Sequence, residues 1–136
     1  MNYISDSIII LFLFAFGIII GSFLNVVIYR VPKKMSIIFP SSHCFRCKKN
    51  IPVYYNIPLI SYFLLKGKCF FCKSEFPSRY AFVELISGLF TIITYLIFDF
   101  SHAFFMYSTL TYLLIAITFV DIDHFIIPNG FIIFGL

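Results

Sequence analysis

All ten lysine and arginine residues of this 136-residue chain fall between Arg30 and Arg79. The stretches on either side, 1–29 and 80–136, hold none and are almost wholly apolar. Charged residues make up 12% of the chain and hydrophobic residues 61%, against about 25% charged in a soluble domain. One basic island between apolar flanks describes an all-helical membrane protein whose spans enter and leave around a single charged loop. The net charge of +4 is no nucleic-acid footprint, because it is confined to that loop, where it sets orientation. The expected partner is the lipid bilayer, with no nucleic acid. The twenty phenylalanines read as lipid-facing or core residues rather than as a cofactor box.

Residues 8–29 carry no charge and are long enough to cross a hydrocarbon core of about 30 Å. A cleaved signal peptide would need a basic start and a small-residue cleavage site. Here the only early charge is Asp6, so a retained transmembrane helix is expected. Gly17 and Gly21 form a small-xxx-small pair, read either as a close packing face or as glycines that a membrane helix simply tolerates. Asn25 lies within the span and needs a partner in the protein interior. A second span is expected over Ala81–Phe98. Glu84 near its start is either an acid placed at the positive helix end beside Arg79 or a functional ionisable group inside a span. A third span is expected over Ala103–Val120, ending at Asp121-Ile122-Asp123-His124. Pro128-Asn129-Gly130 reads as a turn or helix start, and the apolar Phe131–Leu136 as the beginning of a fourth helix within which the chain is cut off. The expected organisation is residues 1–29 as the first transmembrane helix, 30–80 as a loop, and 81–136 as the N-terminal part of a further membrane domain.

The loop contains every cysteine of the chain: Cys44-Phe45-Arg46-Cys47 and Cys69-Phe70-Phe71-Cys72. Positive residues near span ends stay in the cytoplasm, which places the N-terminus outside and this loop inside, in a multi-pass plasma-membrane protein. The cytoplasm is reducing and disfavours disulfides. Two C-x2-C hooks, separated by slightly more than the usual roughly 15–20 residues, then read as a four-thiolate zinc site. A closed four-thiolate shell leaves no open position, so the zinc is structural. Five prolines between Pro32 and Pro77 predict turns and short extended pieces here rather than long helices. The apolar run Ile57–Leu65 is too short to span and is expected on the membrane surface or against the zinc knuckles.

Asp6 and Asp99 fall on the outer side in this topology, and Asp121 and Asp123 on the side of the loop. Residues two apart on a helix point about 200° apart, so Asp121 and Asp123 do not form a dyad by themselves. Asp121 and His124 share a face at i,i+3 and could ligate a metal; the blander reading is that these charges mark the membrane boundary. No Ser-His or Cys-His nucleophile pattern and no glycine-rich phosphate loop is present.

Several separate stretches resemble one family, the bacterial type IV prepilin leader peptidases, which are membrane aspartic peptidases of the A24 family. Gly21-Ser22-Phe23-Leu24-Asn25-Val26-Val27-Ile28-Tyr29-Arg30-Val31-Pro32 resembles its first-helix signature. The tetrad, with Asn56-Ile57-Pro58, Ser61 and Lys66-Gly67-Lys68 between its halves, resembles its zinc loop. Ser78-Arg79-Tyr80 with Val83-Glu84-Leu85 resembles the start of its second helix. Asp121-Ile122-Asp123-His124 with Ile127-Pro128 resembles the segment holding its first catalytic aspartate. Phe45, Tyr55, Ala81 and Asn129 depart mildly, standing where Pro, Asp, Pro and Asp are usual. The larger departure is the absence of the Gly-x-Gly-Asp motif that carries the second catalytic aspartate.

The resemblance implies an aspartic endopeptidase that removes the basic leader from prepilin or type II secretion pseudopilin precursors at the cytoplasmic face of the bacterial inner membrane. It implies Asp121 as a catalytic residue, zinc on Cys44, Cys47, Cys69 and Cys72, and, in many members, N-methylation with S-adenosylmethionine. With one usable aspartate, these 136 residues are expected to be inactive alone. The alternative expectation is a non-catalytic, zinc-stabilised membrane module for assembly or protein binding.

Overall fold

A computed structural model of the chain describes residues 2–39, 43, 44 and 46–135, with side chains for all of these except Val53 and residues 124–135. Helix α1 spans Tyr3–Arg30, α2 spans Ile60–Leu64, α3 spans Arg79–Phe98 and α4 spans His102–Gly135; a single 3-10 turn lies at Val53–Tyr55. Among the described residues there are no strands, only two isolated β-bridges in the loop. Tyr3–Arg30, Arg79–Phe98 and His102–Asp123 are long and apolar enough to cross a membrane. In hydrocarbon every backbone N–H and C=O must be satisfied within the segment, so an uncharged apolar run of this length is obliged to be helical. The result is an all-helical integral membrane protein of three spans with a cysteine-bearing loop between the first two.

The spans pack through small residues rather than large ones. Because lipid is as apolar as leucine, close van der Waals approach drives helix association in a membrane. The buried face of α3 carries Glu84, Ser87, Gly88, Thr91 and Thr94, and α1 lays Gly17 and Gly21 against it. A Cβ added at Gly17 would sit 2.7 Å from the Gly88 Cα, and one at Gly21 would sit 2.7 Å from the Glu84 Cα. The glycine pair is therefore a packing face. The hydroxyls on this face bond back to their own helix, Ser87 Oγ to the Val83 carbonyl at 2.8 Å and Thr91 Oγ1 to the Ser87 carbonyl at 2.7 Å. They thus stay satisfied without water. The Thr91 and Tyr112 hydroxyls also bond to each other, tying α3 to α4.

At the other end of the bundle, Leu24 and Ile28 of α1, Val83 of α3, and Ile115 and Ala116 of α4 form the apolar core, with Phe119 and Val120 packed against it. Large residues such as Phe12, Leu96 and Phe105 point outward, as lipid-facing side chains do. α3 turns into α4 through Asp99–Ser101, where Asp99 takes a positive φ of 48° and Ser101 Oγ accepts the Phe104 N–H at 3.4 Å.

Two sequence expectations meet a different backbone. The third span does not end at Val120, nor does the backbone break at Pro128-Asn129-Gly130: α4 continues unbroken to Gly135, so no separate fourth helix begins there. A proline removes one ladder hydrogen bond and kinks or ends a helix with high probability, not with certainty. Glu84 is not part of the first turn of α3, and its carboxylate turns toward the loop instead of toward Arg79.

Candidate metal centre and acidic site

The two cysteine hooks fold alike. In the first, the Lys48 N–H donates to the Cys44 carbonyl at 2.9 Å and the Cys44 N–H to the Lys49 carbonyl at 3.1 Å. In the second, the Lys73 N–H donates to the Cys69 carbonyl at 3.0 Å and the Cys69 N–H to the Ser74 carbonyl at 2.9 Å. Each knuckle is closed by a β-bridge, His43 with Asn50 and Lys68 with Glu75. Each turns on a lysine held at positive φ, Lys48 at 55° and Lys73 at 56°. Non-glycine residues adopt that conformation at a cost of about 1–2 kcal/mol, so the backbone is shaped to bring two sulfurs to one side.

The four sulfurs converge. All lie within 4.8 Å of one another and could hold a metal ion. Cys44 Sγ is 3.6 Å from Cys72 Sγ, and Cys47 Sγ is 3.9 Å from Cys69 Sγ. Tetrahedral zinc with bonds of about 2.3 Å would set its sulfurs about 3.8 Å apart, so the donor set fits. A disulfide would need about 2.05 Å, and all four cysteines are free.

The local electrostatics agree with that fit. Burial raises the Cys44 thiol, but hydrogen bonds from Ser74 and from the Cys47 and Arg46 backbone outweigh it and bring it down to about 6. The Ser74 hydroxyl, 3.1 Å from Cys72 Sγ, is the main cause of a lowered Cys72. Cys47 moves the other way. The Lys49 backbone favours its thiolate, yet burial and the three neighbouring sulfurs outweigh that and push it up to about 11. Part of the tetrad ionises readily and the rest resists the accumulated charge. A divalent cation is what lets all four become thiolates together.

The cysteine cluster is tied to the bundle through the segment between the hooks. Tyr55 stacks on Phe70 of the second knuckle at 4.5 Å. The Gly67 N–H donates to the Tyr62 carbonyl at 2.8 Å and the Phe76 N–H to the Gly67 carbonyl at 2.6 Å, so hydrogen bonds join α2 to the second knuckle. The tie to the spans is Glu84: its Oε2 accepts the Leu59 N–H at 2.8 Å, and Leu59 sits at a positive φ of 57°. Asn25 finds its interior partner in the Tyr80 carbonyl, to which Nδ2 donates at 3.0 Å. Beneath the loop, between α1 and α3, lies a cavity of about 210 Å³ with Asn25, Ser61 and Glu84 in its wall.

The remaining acids separate as helix geometry requires. Asp123 pairs with Arg79 at the start of α3, while Asp121 is exposed and forms no ion pair among the described residues. Asp121 therefore stands at the loop end of the bundle, next to the Arg79–Asp123 pair. The side chains of His124 and Asn129, and Phe45, lie outside the described residues. The sequence did not reveal the Arg79–Asp123 pair, the Glu84–Leu59 bond or the cavity. Their partners are 44 and 25 positions apart, and no local pattern joins them.

Three spans and, in the loop at one end of them, four cysteines that could hold a metal ion define the class: a helical membrane protein with a candidate metal-binding loop. The sequence pattern described as the bacterial peptidase A24 N-terminal domain matches residues 15–98, and the chain belongs to that family. It is 39% identical over 125 residues to the prepilin leader peptidase/N-methyltransferase of Myxococcus xanthus, covering 92% of this chain and 37% of that protein. It is 36% identical over 133 residues to the type 4 prepilin-like proteins leader peptide-processing enzyme of Escherichia coli O78:H11, covering 85% and 49%. Against the prepilin leader peptidase/N-methyltransferase of Pseudomonas aeruginosa it is 34% identical over 136 residues, covering 83% and 47%. The chain thus spans about half or less of the length of these curated relatives. No solved structure matches it.

Proposed function

We propose that this chain forms the metal-stapled N-terminal part of a leader peptidase acting on prepilin or pseudopilin precursors, with Asp121 as one of its two catalytic carboxylates. The observation that carries the reading is the pairing of Asp123 with Arg79, which leaves exposed Asp121 as the carboxylate at that end with no such engagement. In this reading residues 1–29, 30–80 and 81–136 serve as first span, zinc loop and start of the peptidase domain. Zinc on Cys44, Cys47, Cys69 and Cys72 is structural: it closes the loop and takes no part in the reaction.

The basic loop faces the cytoplasm and the N-terminus lies outside, as the charge distribution favours, in a bacterial inner membrane. A leader emerging from the bilayer then meets Asp121 at the cytoplasmic boundary. As base, Asp121 takes a proton from a water as its oxygen adds to the scissile carbonyl; a second, protonated carboxylate polarises that carbonyl and delivers its proton to the leaving nitrogen. One peptide and one water become a carboxylic acid and an amine. Among the acids at this end, Asp123 is engaged by Arg79, Glu84 by the Leu59 amide, and Glu75 belongs to the β-bridge that closes the second knuckle. This reading takes the second carboxylate from the part of the relatives' length that residues 1–136 do not cover. The N-methyltransferase part of the relatives' names adds S-adenosylmethionine as the donor of a methyl group to the new amine.

The test is a chimera in which these residues replace the matching stretch of the Pseudomonas aeruginosa relative. It should cleave a prepilin, whereas the 136-residue chain alone should not. A chimera that binds zinc and inserts but never cleaves would favour a non-catalytic membrane module.

A further inference from the structure

We propose that the outward face of α2 lies in the bilayer leaflet at the loop end of the spans, with Lys66 on the phosphate of an anionic phospholipid. The short helix has two sides. Ser61 is buried and Tyr62 half-buried. The segment is held from that side, by the Leu59 N–H on Glu84 and by the Gly67 N–H on the Tyr62 carbonyl. Ile60, Phe63 and Leu64 stand at i, i+3 and i+4, which is one face of a helix, and are 56%, 73% and 75% exposed. Single apolar residues are ordinary on a surface, whereas a contiguous apolar face marks a protein or membrane partner.

Two observations identify that partner as lipid. The first is depth. Tyr62 and Phe63 share a groove with Ala81, Phe82 and Leu85 of α3. Phe82 and Leu85 are themselves exposed, on a helix long and apolar enough to cross a membrane. At about 1.5 Å per residue, the 20 residues of α3 only just cover a hydrocarbon core of about 30 Å. Its first turns therefore stand at the edge of that core, and the face of α2 continues into the lipid-facing side of α3 at that level. Tyr62 also shares a cavity wall with Tyr29 and Tyr80, at the ends of α1 and α3, and tyrosine is enriched at the level of the headgroups. The second observation is charge. Residues 30–79 carry ten basic side chains against one acid, Glu75. Lys66, just beyond α2, is exposed and forms no ion pair among the described residues. A lysine stem lies along apolar surface while its ammonium reaches a polar partner. A partner that is apolar against Phe63, anionic against Lys66 and level with the span ends is a phospholipid. Five residues would not hold a membrane unaided, but the Leu59–Glu84 bond already fixes α2 beside α3, and an interfacial helix sinks only about 5–10 Å. The cysteine loop is thereby clamped to the bilayer surface. None of this depends on Asp121 or on cleavage.

The chain contains no tryptophan, so Phe63→Trp and, in a separate chain, Leu64→Trp each place a single fluorophore on this face. Phe12→Trp, at a position 70% exposed on α1, supplies the reference in lipid. Each full chain is reconstituted in vesicles of phosphatidylcholine and phosphatidylglycerol, one or other lipid carrying bromine on its acyl chains. Bromolipid should quench positions 63 and 64 as it quenches position 12, most strongly when the bromine is near the headgroup, and iodide present on both sides should quench them little. At equal mole fraction, brominated phosphatidylglycerol should quench Phe63→Trp more than brominated phosphatidylcholine. Adding Lys66→Gln should reduce that preference by up to about fivefold, the factor one basic residue contributes near an anionic surface. Misfolding of one tryptophan variant leaves the other to decide. Emission as in water, with no bromolipid quenching at either position, would overturn the proposal. Shielding from iodide without bromolipid quenching would also overturn it, in favour of a protein surface such as a second copy of the chain. Equal quenching by the two brominated lipids would overturn the anionic phospholipid as the occupant.

Discussion

Adding one methyl group at Gly21 tests whether the bundle and the loop are coupled as the structure indicates. The new Cβ would stand 2.7 Å from the Glu84 Cα, 2.9 Å from Ser87 Oγ and 3.0 Å from Ser87 Cβ. Carbon atoms prefer about 3.5–4.0 Å, so α1 and α3 must part locally by about 1 Å. The Glu84 Cα is backbone and cannot yield, and Ser87 Oγ is held by the Val83 carbonyl. A gap of about 0.5–1 Å forfeits a quarter to a half of each contact along the seam, and overpacking of this kind costs about 1–3 kcal/mol. Alanine is the better helix former by about 1 kcal/mol. That gain largely cancels here, because α1 remains helical in lipid whether or not it touches α3.

Gly21→Ala should therefore weaken the bundle by about 1–3 kcal/mol, read as a shifted midpoint when the detergent-solubilised protein is titrated with SDS. Ala15→Leu, on an exposed face of α1, should change little. A second readout follows from the Glu84–Leu59 bond of 2.8 Å. If α3 moves outward this bond lengthens, and trypsin should cut the basic loop faster in Gly21→Ala while zinc content is unchanged. A Gly21→Ala protein as stable and as protease-resistant as the wild type would refute the close α1–α3 seam and its coupling to the loop.

Other outcomes follow from the metal site and the charge map. The purified chain should carry one zinc per molecule; Cys47→Ser should lose it and make the loop protease-sensitive, because metal binding is coupled to local folding, whereas two disulfides and no metal would contradict the site. A membrane-impermeant thiol reagent should fail to label the cysteines of intact cells after zinc removal, and ready labelling from outside would reverse the proposed orientation. Arg79→Ala should free Asp123 and lower the thermal midpoint only slightly, as partly exposed ion pairs contribute about 0–1 kcal/mol; a loss of several kcal/mol would show that the pair holds α4 in place.

How much of this was legible in the sequence depends on the range of each interaction. The spans follow from uncharged runs, and the tetrad from paired local spacing, so both are visible without a structure. Gly17 and Gly21 announce a packing face but not its partner, since the polar stripe on α3 lies more than 60 positions away. Glu84 could be read as a helix-end acid, because nothing nearby in sequence betrays that it accepts a hydrogen bond from Leu59. The break expected at Pro128 is absent, since α4 runs unbroken to Gly135; a proline disfavours a helix interior but does not by itself end one. Asp121 and Asp123 could be separated by helix geometry alone, yet which of them is engaged depended on Arg79, 44 positions before Asp123.

The central claim, that Asp121 is the carboxylate offered to the substrate, is tested most directly by leader cleavage with the Pseudomonas aeruginosa chimera and two substitutions. Asp121→Asn should abolish cleavage while zinc content and membrane insertion remain at wild-type levels, and Asp123→Asn should retain most of the activity. Robust cleavage by the Asp121→Asn chimera, or its loss only in Asp123→Asn, would show that the wrong acid has been assigned.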